Sequence, residues 1–181
     1  MIDYKVFKYG DGGVSDFGWG CSYRNIQTIV SCYHKDSLTP PPPIEALLEF
    51  FQKNIHSPLK TDIWIEPYHI GFYLDSMGIS GSSSHLLYIA NRGDPSSVVK
   101  KTDPSFYEGK TTTDFRYVMD KIKIHFTHSE LPIIIDDGVY SFCLVLAGPV
   151  VILLDPHPPK NNIREVSEDF IKTRDWMIYI P

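Results

Sequence analysis

Apolar residues recur along this chain in two periods, one helical and one strand-like. From Trp19 onward, Ile26, Ile29, Val30 and Tyr33 fall at i, i+3, i+4 and i+7, the spacing of a helix that buries one face, with Cys21 in its first turn. The run Pro40 to Pro43 stops any helix before it and presets a linker; a proline-ligand motif is the alternative, and a rigid loop is the expectation. Pro43 can open a second helix, whose apolar face is Ile44, Leu47, Leu48 and Phe51. Another begins near Pro67, packs Ile70, Leu74 and Met77, and ends at Gly78. Phe115, Val118, Met119, Ile122 and Phe126 mark a further amphipathic helix.

The strand signal is concentrated towards the end. Leu131 to Ile135, Val139 to Ala147 and Val150 to Leu154 are short runs rich in β-branched residues, bounded by Gly, Pro and Asp, and predict neighbouring strands of one sheet. Trp176 to Ile180 is expected as the last strand. Near the start, Asp3 to Lys8 alternates as a strand, and GDGG (Gly10 to Gly13) follows as a flexible turn without the Gly-Lys-Ser/Thr ending of a phosphate loop. Ser82 to Ser84 and Asn91 to Ser97 read as loops. Helices first and a mostly antiparallel sheet afterwards predict the α+β class.

Composition narrows the picture further. A chain of 181 residues, 43% hydrophobic, has enough apolar material for one core, so residues 1–181 are expected to form a single catalytic domain. The net charge of -5, with no long Lys/Arg run, leaves no electrostatic footprint for nucleic acid or an anionic membrane. MIDYKVFKYG lacks the flanks of a signal peptide, and the apolar run Phe142 to Leu154 is broken by Gly148-Pro149, so a soluble, cytoplasmic monomer is expected. Cys21 and Cys32 fall on one predicted helix about 16 Å apart, too far to bridge, and the odd number of cysteines predicts reduced thiols.

Candidate chemistry starts from GWGCSYRNIQT, Gly18 to Thr28. A thiol attacks as the thiolate, which a helix N-terminus favours, and Gly18 and Gly20 allow a sharp bend and leave room for a substrate strand. Packing is the other reading of Cys21, because free cysteines are commonly buried. In ILLDPHPP, Asp155 and His157 stand two apart at the end of an apolar strand, so they share a face if the strand continues; a simple Asp-Pro turn is the alternative. A carboxylate beside an imidazole fixes its tautomer and stabilises the imidazolium. Cysteine early and His/Asp late is the order of a papain-like hydrolase. An oxyanion needs donors: the Cys21 N–H is one candidate, and the Tyr9 hydroxyl is a second.

Together these residues resemble the ubiquitin-fold-modifier-specific cysteine protease family. The likeness is carried by YG…D.GWGCSYR.IQT (Tyr9 to Thr28), DIWIEP (Asp62 to Pro67), LPIII, LLDPH (Leu153 to His157) and DWMIYIP, in the family's order and over nearly the whole chain. The resemblance implies a papain-like fold with Cys21 as nucleophile, His157 as general base and acid, Asp155 as its orienting carboxylate and Tyr9 as an oxyanion donor. It also implies that Trp64 lies over a narrow groove admitting a glycine-ended tail, with Trp19 a second substrate-binding residue. No cofactor and no metal are implied. Autophagins are similar at GWGC and DPH but lack the Tyr-Arg after the cysteine; zinc-finger ubiquitin peptidases take their histidine from the preceding strand, which here reads GVYSFCLVLAG. Departures from the family pattern stand at Glu66, Asp136, Asp137 and Pro158, positions expected to bear on the groove or its electrostatics.

The expected function is cleavage after the C-terminal glycine of a ubiquitin-like modifier, for precursor maturation and release from lysine, with the modifier and its conjugates as partners. A non-catalytic modifier-binding module on the same fold, or an autophagin-like or deubiquitinating thiol protease, is the alternative. His125 and His128 stand at i, i+3 on a predicted helix, but no third ligand accompanies them, and they read as a solvated helix end. Cys32 and Cys143 read as core, and Arg24 and Gln27 as supports of the cysteine helix.

Overall fold

A computed structural model of the chain describes residues 4–55, 64–80, 84–91, 110–157 and 162–181. Within them, a seven-stranded sheet consists of β1 (His85–Ile89), β2 (Lys110–Thr112), β3 (Ile133–Asp136), β4 (Ser141–Ala147), β5 (Val150–Leu154), β6 (Ile163–Val166) and β7 (Trp176–Ile180), in the order β2-β1-β7-β3-β4-β5-β6. Every neighbouring pair is antiparallel except β1 and β2. The helices are α1 (Cys21–Tyr33), α2 (Ile44–Asn54), α3 (Pro67–Ser76), α4 (Phe115–His128) and the single turn α5 (Asp169–Lys172). This is the expected α+β class.

Helices cover both faces of the sheet. On one face α1, α2 and α3 bury Ile26, Ile29, Leu47, Phe51, Ile70 and Leu74 against Leu86, Ile134, Cys143, Val145, Leu154 and Tyr179. On the other, Val118, Met119 and Ile122 of α4 and Ile171 of α5 pack on Ile133, Ile135, Leu144, Leu153 and Ile178. Successive residues of β3, β4, β5 and β7 therefore enter different cores, which is why these strands read as continuous apolar runs rather than as an apolar-polar alternation. The same double burial moves Trp176–Ile180 from the end of the sequence to an interior position of the sheet, between β1 and β3.

Several expectations change. Residues 4–8 form no strand: Tyr4 and Val6 pack on the core, while the Phe7 N–H donates to Thr28 Oγ1 of α1 (3.2 Å) and the Tyr4 hydroxyl to the Glu130 carbonyl (3.0 Å). These bonds run to a helix side chain and a loop carbonyl rather than to a strand ladder. Asp3, Ser82, Ser83, residues 92–97 and Asp62 lie outside the described residues. β1, β2, β6 and α5 are additions, short elements that the apolar pattern does not mark. His125 is not solvated: it is buried at the end of α4, and its Nε2 lies 2.8 Å from the Leu131 carbonyl, just before β3 starts. Cys143 is core, but Cys32 is only half-buried, with its thiol 3.6 Å from the Glu130 carbonyl. All three cysteines are free.

Candidate active site

Cys21 is the first residue of α1, at the end where N–H groups lack intrahelical partners and the helix dipole is positive. The loop before it is bent by Gly18, at φ +86°, and closed by the Asp16 carbonyl, which accepts the N–H of Trp19 (3.3 Å) and of Gly20 (2.9 Å). Gly20 does not open a path for substrate, as the sequence suggested. A β-carbon there would lie 2.3 Å from Asp16 Oδ2, so its missing side chain makes room for a carboxylate of this chain. Cys21 is 1% exposed, and its thiol is electrostatically coupled to two side chains, the Tyr9 hydroxyl and the His157 ring.

Sheet register brings the histidine to the cysteine. Asn25, one turn into α1, donates to Ser141 Oγ at the start of β4 (3.0 Å). Two residues on, Cys143 pairs with Leu154, the last residue of β5. The chain leaving β5 thus emerges beside the N-terminus of α1. The strand does not continue through the next residues, yet Asp155 and His157 still meet: Asp155 Oδ1 accepts the His157 N–H (2.9 Å) and lies 2.7 Å from its Nδ1. Pro156 supplies a third link, because its carbonyl accepts the Tyr9 N–H (3.1 Å).

Asp155 is 2% exposed. Its Oδ2 accepts from Arg164 of β6 (2.7 Å), and its backbone exchanges bonds with Asn162: its N–H reaches the Asn162 carbonyl, and its carbonyl accepts the Asn162 side-chain amide, each at 2.7 Å. Burial alone pushes this carboxyl up, but the bonds from the His157 ring and N–H, with the charges of His157 and Arg164, hold it below its ordinary value. For His157 burial again opposes the charged form and is outweighed by Asp155 and Cys21, which raise the ring to about 9. Its Nε2, the nitrogen left for the sulfur, is buried without an aligned hydrogen bond, so the two couple by proximity at rest. Burial and the neighbouring Cys21 push the Tyr9 hydroxyl well above its usual range, so it remains a donor.

The ring is boxed by aromatic side chains. Tyr9, Tyr140 and Phe142 stand edge-on to His157 with centroids 5.2, 5.2 and 5.3 Å away. A cavity of about 300 Å³ beside it is lined by Tyr140, Phe142, Asp155, His157, Arg164, Phe170 and Arg174. A thiol set between an imidazole and a phenol, at a helix N-terminus, can be deprotonated by the ring and can place a carbonyl oxygen near the phenol.

Tyr9, Cys21, Asp155 and His157 therefore come together from three separate segments. Trp19 and Trp64 are not among the rings packed on His157: Trp19 is half-buried against Tyr23 (5.5 Å), and Trp64 is exposed in the segment leading into α3. Three positions that depart from the family pattern have local work. Glu66 caps α3, its side chain bonding the His69 N–H while the His69 ring accepts the Glu66 N–H (3.0 Å). Asp136 and Asp137 shape the β3–β4 turn by accepting from Gly138 (2.7 Å), Val139 (2.9 Å) and Tyr140 (2.7 Å), and Asp137 also pairs with Arg174. Pro158 lies outside the described residues.

Two residues of the site escaped the sequence reading. Arg164 sits on an edge strand whose alternation looks like solvated surface, and only the fold brings it to Asp155. Asp16 stands within D.GWGC and could have been noticed there as an acid beside an invading arginine at i+8: Arg24 Nε donates to its Oδ2 at 2.7 Å, with both side chains buried. Arg24 continues to Gln27 (3.0 Å), and Gln27 to the Pro42 carbonyl (2.9 Å), which bears out the supporting role expected of both. Among the described residues no group of three or more His, Cys, Asp or Glu could hold a metal ion.

Comparison with known proteins gives the chain a family and a fold. The family model described as Peptidase family C78 matches residues 1–169. The chain is similar to a probable Ufm1-specific protease 2 of Drosophila melanogaster, 23% identical over 167 residues, which is 86% of this chain and 24% of that protein. It is similar also to a probable Ufm1-specific protease of Oryza sativa subsp. japonica, 26% identical over 172 residues, covering 87% and 23% respectively. The chain thus spans about a quarter of the length of these curated relatives. The crystal structure of UfSP from C. elegans matches 98% of this chain and 32% of that one with a TM-score of 0.63 at 18% identity, a likeness of fold.

Proposed function

The chain belongs to peptidase family C78, and from that premise we propose that it is a thiol protease that cleaves after the C-terminal glycine of a ubiquitin-fold modifier, maturing its precursor and releasing it from lysine side chains. The observation that carries the reading is that one thiol, Cys21 at the N-terminus of α1, is electrostatically coupled to both Tyr9 and His157, while Asp155 lies 2.7 Å from the other ring nitrogen. The names borne by the fruit-fly and rice relatives point to the modifier as substrate.

In this mechanism His157 holds the Cys21 proton, leaving a thiolate beside an imidazolium. The sulfur attacks the glycine carbonyl carbon, and its oxygen gathers negative charge towards the Tyr9 hydroxyl and the Cys21 N–H. Collapse of the tetrahedral adduct breaks the C–N bond, and the ring proton goes to the departing amine. A water then gives one proton to His157 and attacks the thioester. Collapse expels the Cys21 thiolate beside the restored imidazolium, and the glycine acid loses its remaining proton to the amine or to solvent and departs as the carboxylate. Asp155 keeps Nδ1 protonated and Nε2 facing the reaction, and Arg164 holds the far oxygen of Asp155.

The test is a panel of ubiquitin-like modifiers carrying electrophilic C-termini. The ubiquitin-fold modifier labels Cys21, the Cys21→Ser variant takes no label, and turnover of the modifier precursor disappears with that substitution. A folded protein that none of the panel labels and that cleaves no precursor overturns the reading and leaves a non-catalytic binding module.

A further inference from the structure

The loop from residue 10 to residue 20 separates Tyr9 from Cys21. It contains Gly10, Gly12, Gly13 and Gly18, all at positive φ, so its backbone has little preference of its own to set the distance between a phenol and a thiol. One side chain crosses it. Asp16 is fully buried, and its Oδ1 accepts the N–H of Gly10, the residue after Tyr9, at 2.7 Å. Its Oδ2 takes Arg24 Nε of the cysteine helix at 2.7 Å, while its carbonyl holds the N–H of Gly20, the residue before Cys21, at 2.9 Å. Arg24 Nη2 returns to the loop at the Asp11 carbonyl (2.9 Å).

Tyr9 is thereby tied on both sides. Its own N–H goes to the His157 segment through Pro156, and the next N–H goes to the Cys21 segment through Asp16. Gly20 is fitted to this arrangement, since any side chain there would collide with the Asp16 carboxylate.

We propose that Asp16 is a positioning residue of the reaction, acting through Tyr9: it registers the tyrosine hydroxyl against the Cys21 sulfur so that the hydroxyl meets the oxyanion. The proposal rests on the thiol-protease reading above. A carboxylate is required because two donors, the Gly10 N–H and Arg24 Nε–H, each take one oxygen. An asparagine offers one oxygen, which the charged guanidinium claims as the stronger donor, and its NH₂ then faces the Gly10 N–H and releases it. Arg24 stays paired, so the helix keeps its support while the tyrosine loses its tether.

Three measurements test this on the intact chain, after turnover by the unsubstituted protein has been established. Asp16→Asn is expected to lower kcat about 10- to 100-fold with KM moved by less than about threefold, because an oxyanion donor is displaced and ground-state binding is not. Alkylation of Cys21 by iodoacetamide, a displacement that forms no oxyanion, stays within about twofold. In a Tyr9→Phe background the same substitution lowers kcat by no more than about twofold further, since the two act as one unit. An equal loss in both backgrounds, a parallel loss of alkylation, or an unchanged kcat overturns the proposal. If Asp16→Asn does not fold, amide exchange in the unsubstituted protein decides: a Gly10 N–H protected like those of α1 supports the tether, and exchange at the rate of an open loop rejects it. Absence of both turnover and labelling in the unsubstituted protein strikes at the protease reading instead, and Gly10 exchange still reports on the tether.

Discussion

His157 is where single-residue electrostatics govern the chemistry. Burial works against its charge, and Asp155 with Cys21 outweighs burial, so the ring is raised from 6.5 to about 9 and is an imidazolium at neutral pH. On the proposed mechanism that proton leaves with the amine. Amide hydrolysis is therefore expected to fall as pH rises through about 9, while alkylation of Cys21, which needs only the thiolate, does not fall. Paired pH profiles of kcat/KM and of iodoacetamide reaction check this, and a parallel decline of both contradicts it. The linkage to stability has the same sign. A folded-state value above the unfolded one means the stabilisation is complete below about 6.5 and is lost as pH rises through about 9, so the urea midpoint should drift down over that window. Residue types and spacing made Cys21 and the Asp155-His157 pair visible in the sequence. Arg164 was not visible, because an arginine on an alternating edge strand carries no signal of the carboxylate that the fold lays beside it.

At the scale of elements, close approach decides more than propensity. Gly71 in α3 faces Tyr179 of β7, and a β-carbon there would lie 2.5 Å from the ring's Cε2. Alanine normally stabilises an exposed helix interior relative to glycine by about 0.5–1 kcal/mol. Here the tyrosine is fully buried and has no space to yield, so the clash dominates, and Gly71→Ala is expected to cost about 1–3 kcal/mol in urea unfolding. A gain in stability would show that α3 can shift off β7. α1, α2, α3 and α4 were legible because each is long enough to show its period, with Pro67 and Gly78 marking the bounds of α3. β1 and β2 were not, since five and three residues are too few for a pattern, and their pairing partners lie far away in the sequence.

At the scale of the molecule, the cysteine helix and α4 pack on opposite faces of the sheet, and Phe142 of the second core stands against the His157 ring. Ile122 of α4 is fully buried in that second core. Ile122→Ala is expected to destabilise the protein by about 2–5 kcal/mol, through lost burial and the cavity left behind, out of a typical total of about 5–15 kcal/mol. Turnover per folded molecule should be unchanged under conditions where the variant is fully folded. Activity titrated against active-site labelling measures that, and a fall in kcat would mean that the two faces communicate through the sheet. No helix among the described residues is long and apolar enough to cross a membrane.

The sequence by itself determined the class of fold, the principal helices, the strands buried on both faces, and the residue types of the site, because periodicity and chemistry are local properties that a single chain displays in order. Only the tertiary structure decided that residues 4–8 leave the sheet, that the last strand lies inside it, and that Gly20 accommodates Asp16 rather than a substrate. It also decided that Tyr9 is tied to both the cysteine and the histidine segments. Those outcomes depend on which distant segments meet: Asn25 bonds Ser141, and Cys143 pairs with Leu154, so residues more than a hundred positions apart share one site. Register and long-range pairing are settled by the packing of the whole core, and no window along the chain contains them.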